Sequence, residues 1–520
     1  MDTPDSWLLL LLQLSEAAFV KGIQPVTCNL ILCFQAIFSA FQDRRLTMNR
    51  DNSRPVIREI CMSRWKAYQI LVFVLPLPFG GVADWAWPLY CTAALVLLLA
   101  ELNYLLKVTA VAQLPTIPFP EAFVRARLLL LVLALVQLWV FAQWLGTSLS
   151  PYDTWVSLLK GIGLTAFFAL TLLMLNSRER VKRILWVAVL AAAFQALYGA
   201  VMVLTGWEYG FFTEKVFYRT TATGTFVNRN SLAGYLEITL ALGIGFLLAQ
   251  STRYYGSARQ RLRQLIAMLL SDKVVLRLLL AVMVIALVLT RSRMGNTAFF
   301  ASLMLAGGLA LLLMRHKTRS TTILLSSLLV IDIAIVGTFF GVDKVAERLQ
   351  KTSIQTESRP QVSRDTFIMW EQYPVTGTGA GTFTQIYPTF KSEDVRNPQI
   401  YNNAHNDLVQ FLAEFGAPAY LMLAGCVGWC LWNAVVAMRK RNSELYKGMG
   451  FAALMGISAI GIHSAVDFNL QIPSNAFMFM LLMAMAFIAR WAPHKTRPLP
   501  DITEHKHHHS EAHNQQGEAL

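Results

Sequence analysis

A succession of apolar runs along the chain constrains its fold more than any other feature. The runs lie at 68–81, 83–106, 126–148, 155–175, 184–205, 231–250, 274–290, 296–314, 321–341, 407–438, 448–465 and 474–490. Most approach the roughly 17 to 25 residues that a helix needs to cross a bilayer, and in lipid only helices or closed barrels satisfy every backbone hydrogen bond. We therefore expect an all-α protein, a polytopic bundle of about twelve transmembrane helices.

The composition agrees with a membrane protein and excludes a soluble globular domain. Of the 520 residues, 55% are hydrophobic and 15% are charged, whereas soluble domains carry about 25% charged residues. The formal net charge of +14 comes from Lys and Arg in short clusters between apolar runs, which is typical of topology determinants and not of a nucleic-acid-binding surface. The six cysteines lie in or beside apolar runs without disulfide or zinc spacing. We expect neither nucleic-acid binding nor redox chemistry.

The positions of the basic clusters predict the orientation of the helices. If the segment with Arg58, Arg64 and Lys66 is cytoplasmic, all later clusters fall on the same side, as the positive-inside rule requires. These clusters are Lys107 with Arg125 and Arg127, 178–183, 253–263, 315–319, 439–441 and 490–497. Both ends of the core are therefore predicted to be cytoplasmic.

The apolar runs and the loops between them divide the chain into five parts. Residues 1–47 form an N-terminal extension or hairpin, 48–341 hold transmembrane helices 1–9, 342–406 form a long loop on the side opposite the basic clusters, 407–490 hold helices 10–12, and 491–520 form a disordered, histidine-rich cytoplasmic tail. Loops of about sixty residues are usually functional or disordered, and the aromatic residues in this one argue for order. We expect it to contain short helices that lie across the membrane face.

Five of the arginines on the predicted non-cytoplasmic side stand out, because the positive-inside rule disfavours basic residues there. They are Arg219, Arg291, Arg293, Arg359 and Arg364. An arginine at a membrane boundary loses hydration, so each needs a compensating partner. A guanidinium presents a rigid fork of donors that fits phosphate oxygens, and several converging guanidinium groups would bind an anionic, phosphate-bearing substrate. The alternative is that the arginines reach lipid headgroups or pair with loop carboxylates.

Two segments rich in Gly and Thr, 221–231 and 375–383, lie among these arginines. Their backbone amides can approach a phosphate closely because glycine has no side chain. Neither segment has the lysine of a Walker-type phosphate-binding loop, and turns between helices explain the glycines equally well.

The stretch NNAHND brings a histidine to the end of the long loop, on the arginine side. An imidazole with an ordinary pKa near 6.5 accepts a proton near neutral pH, so His405 is a candidate general base; a structural role at the helix start is the alternative. Asn406 or Asp407 is expected to cap the next helix. Asp407, Gln410 and Glu414 repeat every three to four residues and predict a polar stripe that faces the protein interior.

A second histidine, in the stretch HSAVDFN, lies on the same predicted side at the eleventh crossing. His463 and Asp467 are four residues apart, so the carboxylate can orient the imidazole if the segment is helical. A metal site would need a third and a fourth ligand, which this segment does not offer. We therefore interpret the pair as supporting or structural, and we predict no metal site.

Four segments of the chain form an ordered set of motifs: GTFVNRNSLAGYL at the start of a span, the SRMG turn, SRPQVSRDTFIMWEQYPVTGTGAGTF in the long loop, and HNDLVQFLAEFG. Together they resemble the O-antigen ligase and O-antigen polymerase superfamily of bacterial membrane glycosyltransferases. Each motif alone is weakly specific, but their order and their common predicted side of the membrane make the resemblance specific. It runs through much of residues 184–490.

The resemblance implies transfer of a glycan from undecaprenyl diphosphate to an acceptor hydroxyl, on lipid A core or on a growing glycan, in a cavity under a periplasmic loop at the bacterial inner membrane. His405 matches the base proposed for the family. The arginines that match those holding the diphosphate are Arg219, Arg293 and Arg359. The residues expected to support them are Arg291, Asn406, Asp407, His463 and Asp467. No cofactor or metal is implied, and attack opposite the diphosphate would invert the anomeric configuration.

Two choices stay open from the sequence. The ligase pattern usually continues after its glycine with two residues and then Gly, Thr or Tyr. Here Gly416 is followed by Ala417, Pro418 and Ala419, with Tyr420 one place late, which leaves ligase and polymerase as alternatives. A transporter or flippase would use the same arginines to move a lipid-linked anion, but it should show internal repeats with broken helices in matched halves, which the sequence does not. A scaffold protein would leave the polar residues without a chemical role.

Overall fold

The computed structural model describes residues 53–211, 213–250, 272–314, 326, 359–393, 395 and 401–493. The chain forms two units, Met1–Ser63 and Arg64–Leu520. The described part of the first unit, 53–63, is the beginning of a helix. The fold and the candidate site lie in the second unit. The predicted N-terminal part, the ninth predicted span and the tail beyond Pro493 lie outside the described residues.

Thirteen α-helices and one two-stranded ladder make up the described part of the chain. The helices are α1 (Ser53–Val74), α2 (Ala86–Val111), α3 (Glu121–Ala142), α4 (Pro151–Met174), α5 (Arg178–Thr205), α6 (Arg229–Ala249), α7 (Asp272–Leu289), α8 (Arg293–Leu313), α9 (Arg359–Gln372), α10 (Phe383–Ile386), α11 (Asp407–Lys440), α12 (Glu444–Ser464) and α13 (Pro473–Trp491). The strands β1 (Tyr209–Gly210) and β2 (Thr213–Glu214) pair antiparallel. The predicted all-α class is confirmed.

Nine of the described helices are long and apolar enough to cross a membrane: α2 to α6, α8, and α11 to α13. Among them, α3 is counted together with the π-helical turn Gln143–Thr147 that continues it. These nine match predicted runs, which they extend or shorten by a few residues. Helix α7 matches a tenth run, but its first turns carry the charged Asp272, Lys273 and Arg277. The run 321–341 lies outside the described residues.

The first predicted run, 68–81, is not one helix. Helix α1 ends at Val74, and a turn followed by the 3-10 helix Phe79–Gly81 leads to α2. Pro76 and Pro78 have no amide hydrogen to donate, and a proline also disfavours the helical conformation in the residue before it. The first predicted run is therefore interrupted at Pro76 and Pro78, where the sequence indicated an interruption.

Helices α6, α12 and α13 are the most buried of the nine. Helices α6 and α12 approach closely at two glycines. A methyl group on Gly245 would clash with the Gly448 carbonyl oxygen, and one on Gly448 would clash with the Gly245 carbonyl oxygen. Small residues let helix backbones approach in lipid, where packing replaces the hydrophobic effect between helices. The beginning of α6 and the end of α12 therefore meet at one face of the bundle.

Helix α11 is broken at Gly416, whose φ of 73° and ψ of 165° lie in a region used almost only by glycine. The loop before α11 supplies the backbone hydrogen bonds that the break removes. The Thr378 amide donates to the Ala413 carbonyl at 3.0 Å, and the Ala417 amide donates to the Pro374 carbonyl at 2.9 Å. The last part of the long loop is thereby fixed to the helix that follows it.

The described part of the long loop contains short helices, as predicted from its aromatic residues: α9, α10 and the 3-10 helix Tyr387–Thr389. They enclose an apolar core of their own, formed by Val362, Phe383, Tyr387, Val395 and Ala404. Asp365 joins these helices because its Oδ2 accepts from the Tyr387 hydroxyl at 3.2 Å and from the Ser392 amide at 3.0 Å. The loop is thus a folded element that positions the residues at its end.

Candidate active site

The long loop ends in a turn that leads from His405 into α11. The side-chain oxygen of Asn406 accepts from the amides of Leu408 at 3.1 Å and Val409 at 3.2 Å, so Asn406, and not Asp407, caps the helix. His405 has a left-handed φ of 52°. This conformation costs a residue other than glycine about 1–3 kcal/mol and is frequent at functional sites.

His405 lies partly open to solvent, between one carboxylate and two aromatic rings. Its Nδ1 is 3.6 Å from Oδ1 of Asp467, an ion-pair distance that is longer than a hydrogen bond. The rings of Phe468 and Tyr401 lie edge-on to the imidazole, with centroids 4.8 Å and 6.3 Å away. Because 19% of the side chain is exposed, the imidazole is accessible while its neighbours hold its orientation.

Asp467 is the centre of a polar cluster. Its Oδ2 accepts a hydrogen bond from the side-chain amide of Asn230, and its Oδ1 accepts from the Phe468 amide at 2.9 Å. Nη1 of Arg359 lies 3.8 Å from Oδ2 of Asp467 and donates to the Val466 carbonyl at 3.5 Å. These contacts join the start of α6, the start of α9 and the loop after α12.

The charge on Asp467 is stabilised by its surroundings. Burial raises the pKa of Asp467, because a buried charge is poorly solvated. The imidazole of His405 and the nearby charges of His463 and Arg359 outweigh burial, so the pKa of Asp467 lies below its ordinary value. Asp467 is therefore a carboxylate at neutral pH and presents a negative charge to His405 and Arg359.

His463 is fully buried at the end of α12, but its closest partner is not the predicted one. Its Nδ1 lies 2.7 Å from Oε1 of Glu237 on α6, whereas its Nε2 is 4.0 Å from Oδ2 of Asp467. Helix α12 ends at Ser464, so the four-residue spacing does not continue as one helical face. The sequence analysis missed Glu237; the available signal was a carboxyl group inside an apolar run, which is costly unless it is paired.

Asp407 joins the start of α11 to the loop after α12. Its Oδ2 accepts from the Ser464 hydroxyl at 2.7 Å and from the Leu470 amide at 2.9 Å. Its own amide donates to the Asp467 carbonyl at 3.2 Å. Asp407 thus fixes the loop that carries Asp467 against the helix that follows His405.

The polar stripe predicted for α11 is confirmed, because Asp407, Gln410 and Glu414 are all buried. The Glu414 carboxylate accepts from the amides of Gly381 at 3.0 Å and Phe383 at 3.1 Å, and from the Gln410 side-chain amide at 3.2 Å. These amides of the glycine-rich loop segment therefore bind a carboxylate of the chain itself. This supports the interpretation of the segment as a turn between helices and not as a phosphate site.

Arg219 pairs within its own loop. Its Nη2 lies 2.8 Å from Oε1 of Glu214, and its Nε donates to the Lys215 carbonyl at 3.1 Å. The side chain is 58% exposed. This is the pairing with a loop carboxylate that the sequence left open as the alternative to substrate binding.

Tyr218, next to Arg219 in the chain, lies near the polar cluster. Burial and the negative charge of Asp467 raise the pKa of Tyr218, against the opposing charges of Arg359 and Arg229. The guanidinium of Arg229 lies 5.5 Å from the centroid of the Tyr218 ring. The loop that carries Arg219 therefore contributes Tyr218 and Arg229 to the surroundings of Asp467.

Arg229 is a candidate anion ligand that the sequence analysis missed. It is the first residue of α6, after the N-cap Asn228, and it precedes Asn230, which donates to Asp467. Its Nε is buried and has no hydrogen-bond partner among the described residues. The positive end of the helix dipole adds to its charge. Arg229 lies on the same predicted side as Arg219, just before the apolar run 231–250. Its position beside the span was the signal that could have identified it.

Arg291 and Arg293 lie at the turn between α7 and α8. Both are exposed; Arg291 has a left-handed φ of 53°, and Arg293 is the first residue of α8. The Ala222 amide, from the loop that carries Arg219, donates to the Leu289 carbonyl at 3.0 Å. The structure therefore places two arginine-bearing segments side by side. Arg364, on α9, is exposed as well.

The predicted site residues fall into two groups. One is a connected polar cluster of His405, Asp467, Arg359 and His463, held in place by Asn406 and Asp407. The other lies on adjoining loop segments and consists of Arg219, Arg291 and Arg293. Within the described residues, no three His, Cys, Asp or Glu side chains are grouped as metal ligands would be.

A comparison with protein families matches residues 278–424 to the family described as O-antigen ligase. The match begins in α7 and ends in α11, so it includes the SRMG turn, Arg359 and His405. A comparison with curated proteins found no match. The family match confirms the resemblance that the sequence motifs indicated. Over residues 278–424, this chain is therefore similar to the O-antigen ligase family.

Proposed function

We propose that this protein is a glycosyltransferase that moves a glycan from undecaprenyl diphosphate to an acceptor hydroxyl, at the membrane face that carries His405. The observation that carries the proposal is the position of His405, 3.6 Å from the buried carboxylate of Asp467, with Arg359 3.8 Å from the same carboxylate. A candidate base and a candidate phosphate ligand thus share one cluster. The family match supports this reaction class.

The reaction moves the glycan from one oxygen to another. The acceptor oxygen attacks the anomeric carbon, the bond between that carbon and the diphosphate oxygen breaks, and its electron pair leaves with the diphosphate. The proton of the acceptor hydroxyl passes to His405. Attack from the face opposite the diphosphate inverts the configuration at the anomeric carbon.

Asp467 prepares His405 to accept that proton. The carboxylate lies on the Nδ1 side of the ring, so it favours the tautomer that carries hydrogen on Nδ1 and leaves the Nε2 lone pair for the acceptor hydroxyl. Once Nε2 is protonated, the imidazolium is stabilised by the carboxylate. The edge-on rings of Phe468 and Tyr401 keep the imidazole in this orientation.

The arginines supply positive charge for the leaving diphosphate. Arg359 and Arg229 lie at the cluster, while Arg219 and Arg293 approach from the adjoining segments. Guanidinium groups bind phosphate oxygens in pairs, and donors that are already in place stabilise the charge that develops on the leaving group. Because divalent cations perform this task in other phosphate chemistry, we propose that the arginines make a metal unnecessary. Activity that is lost on chelation and restored by a divalent ion would contradict this.

We place the site at the periplasmic face of the bacterial inner membrane, with both ends of the core cytoplasmic, because the basic clusters lie on the other side. Cysteines introduced at Thr213 and Glu393 are expected to react with a membrane-impermeant thiol reagent in intact spheroplasts. Cys91, Cys426 and Cys430 are buried, and the protein without introduced cysteines gives the background labelling. Labelling that requires a breached inner membrane would reverse the orientation.

Reconstitution tests the activity directly. The full-length protein in liposomes is supplied with a glycan on undecaprenyl diphosphate and with lipid A core, and the product is followed by gel. We expect transfer by the wild type and by Asn402→Gln, an exposed residue of the same turn, and transfer about 10²–10³-fold slower by His405→Gln. Transfer by His405→Gln at the wild-type rate would contradict the proposed site.

The acceptor is tested in cells. After deletion of the gene, loss of polymer from lipid A core indicates a ligase, which we propose. Glycans limited to a single repeat would indicate a polymerase of the same superfamily. Unchanged surface glycans would contradict both.

A further inference from the structure

A cavity of about 680 Å³ lies between the beginning of α3, the second half of α11 and the end of α13. Three arginines and three tryptophans dominate its lining: Arg125, Arg127, Arg490, Trp429, Trp432 and Trp491. The proposed transfer reaction uses none of them.

The cavity lies at the opposite end of the bundle from His405. Helix α13 starts at Pro473, beside the His405 cluster, and reaches Trp491 about 27 Å further along its axis. Helix α3 runs from the cavity to the break in α11, where the Gln143 side chain donates to the Glu414 carbonyl at 2.9 Å. With the proposed orientation, the cavity is at the cytoplasmic face.

Two guanidinium groups converge on one ring in this cavity. The guanidinium carbons of Arg125 and Arg490 lie 4.5 Å and 4.6 Å from the centroid of the Trp491 ring. Each contact is favourable by itself, but the two like charges repel each other. Glu121, 2.7 Å from Nε of Arg125, is the only carboxylate among the described residues that line the cavity. The three arginines therefore leave an excess of positive charge that an anion would neutralise.

The wall of the cavity is held by a buried amide. Oδ1 of Asn433 accepts from Nη1 of Arg490 at 3.1 Å and from the Trp491 indole at 3.2 Å. The Asn433 side-chain amide donates to the Trp429 carbonyl at 2.8 Å. Arg490 and Trp491 are thus in position before a ligand arrives, which lowers the entropy that binding loses.

The cavity continues into an apolar surface. Trp432 is 61% exposed and Leu128 is 52% exposed, and both lie on helices long and apolar enough to cross a membrane. Tryptophan is favoured at the level of lipid headgroups. A ligand that fits both features has an anionic head for the arginines and an apolar chain for the exposed surface.

We propose that this cavity binds the headgroup phosphate of an anionic glycerophospholipid. Basic pockets between transmembrane helices at the cytoplasmic face accept phosphate-bearing headgroups, and a guanidinium pairs with two phosphate oxygens. A zwitterionic lipid brings a positive group to the arginines, and free phosphate makes no use of the apolar wall, so both bind more weakly. The bound lipid joins α3, α11 and α13 at the face opposite the reaction.

Lipid titration of the full-length protein in detergent, read by native mass spectrometry, tests the proposal. Phosphatidylglycerol is expected to bind the double variant Arg125→Gln, Arg490→Gln about 25-fold more weakly than the wild type, because each basic residue at an anionic headgroup contributes about fivefold. The matched control is Arg439→Gln with Lys440→Gln, which removes two exposed charges of α11 outside the cavity. The control is expected to bind as the wild type does.

A single variant keeps the test decisive if the double variant does not fold. Arg127 is exposed on α3 and lines the cavity, so Arg127→Gln is expected to weaken phosphatidylglycerol binding about fivefold. Unchanged affinity in the cavity variants, an equal loss in the control pair, or equal binding of phosphatidylcholine would overturn the proposal. Displacement of phosphatidylglycerol by millimolar inorganic phosphate would also overturn it, because the site would then bind anions without using the lipid chain.

Discussion

Replacing His405 with glutamine removes a proton acceptor while it keeps a hydrogen-bonding side chain. At an effective dielectric constant of about 20, a unit charge on the ring at 3.6 Å from Asp467 gains about 4–5 kcal/mol. The loss of hydration on both groups offsets much of this attraction. The remainder exists only once the imidazolium forms, so it acts on the transition state. General-base catalysis as a whole contributes about 10²–10⁴-fold in rate.

We therefore expect kcat to fall about 10²–10³-fold in His405→Gln, with donor affinity within about twofold of the wild type. The assay is turnover in liposomes under saturating donor, with donor binding measured separately. Turnover within about threefold of the wild type would refute the base role. His405 would then be a structural residue of the turn before α11.

The left-handed φ of 52° at position 405 allows two further variants that separate chemistry from backbone strain. His405→Asn keeps a residue that tolerates this conformation, and it should be as inactive as the glutamine variant. His405→Gly suits the conformation and leaves space for a free imidazole. We expect imidazole in the buffer to restore part of the activity in the glycine variant and none in the asparagine variant. Equal recovery in both would show that imidazole acts elsewhere.

Three other predictions concern binding, stability and pH. Arg229→Gln should weaken donor binding about tenfold or more, because it removes a partly buried guanidinium beside the cluster. Arg219 is exposed and paired within its loop, so Arg219→Gln should weaken donor binding less. Equal effects would contradict the proposed role of Arg229. Gly416→Ala should lower the free energy of unfolding in detergent by about 3 kcal/mol, because φ of 73° disfavours alanine and its methyl group would clash with a backbone carbonyl. A methyl group at Gly425 would meet no atom within 4 Å, so Gly425→Ala should leave the free energy of unfolding nearly unchanged. The pKa of Asp467 is lowered on folding. The charged carboxylate therefore stabilises the fold fully above the ordinary pKa of about 3.9, and this stabilisation is lost as the pH falls through the lower pKa of the folded state. Asp467→Asn should flatten this part of the dependence of Tm on pH, and an unchanged dependence would contradict the prediction.

The helices were largely predictable because a bilayer allows few alternatives to an apolar helix. The boundaries shift where local chemistry overrides mean hydropathy. The apolar run 68–81 continues past the end of α1 at Val74 into the turn that holds Pro76. The run 274–290 begins two residues after the start of α7, because Asp272 and Lys273 are charged.

The candidate site was only partly predictable. Position in the chain singled out His405, and spacing singled out Asp467 with His463. Spacing reports neighbours within one or two helical turns, however, and the closest contacts here cross the bundle. Glu237 and His463 are 226 residues apart in the chain, so their pairing depends on how α6 packs against α12, which periodicity does not encode.

The break at Gly416 shortens the part of α11 that crosses the membrane. As a straight helix, the 34 residues of α11 would extend about 50 Å, well beyond a hydrocarbon core of about 30 Å. The piece 417–440, about 36 Å long, suffices to cross, and the piece 407–415, about 14 Å long, is left beside the long loop. Both pieces are bonded to that loop, because the Ala417 amide donates to the Pro374 carbonyl and the Thr378 amide donates to the Ala413 carbonyl. The length of α11 in excess of the hydrocarbon core thus anchors the turn that carries His405.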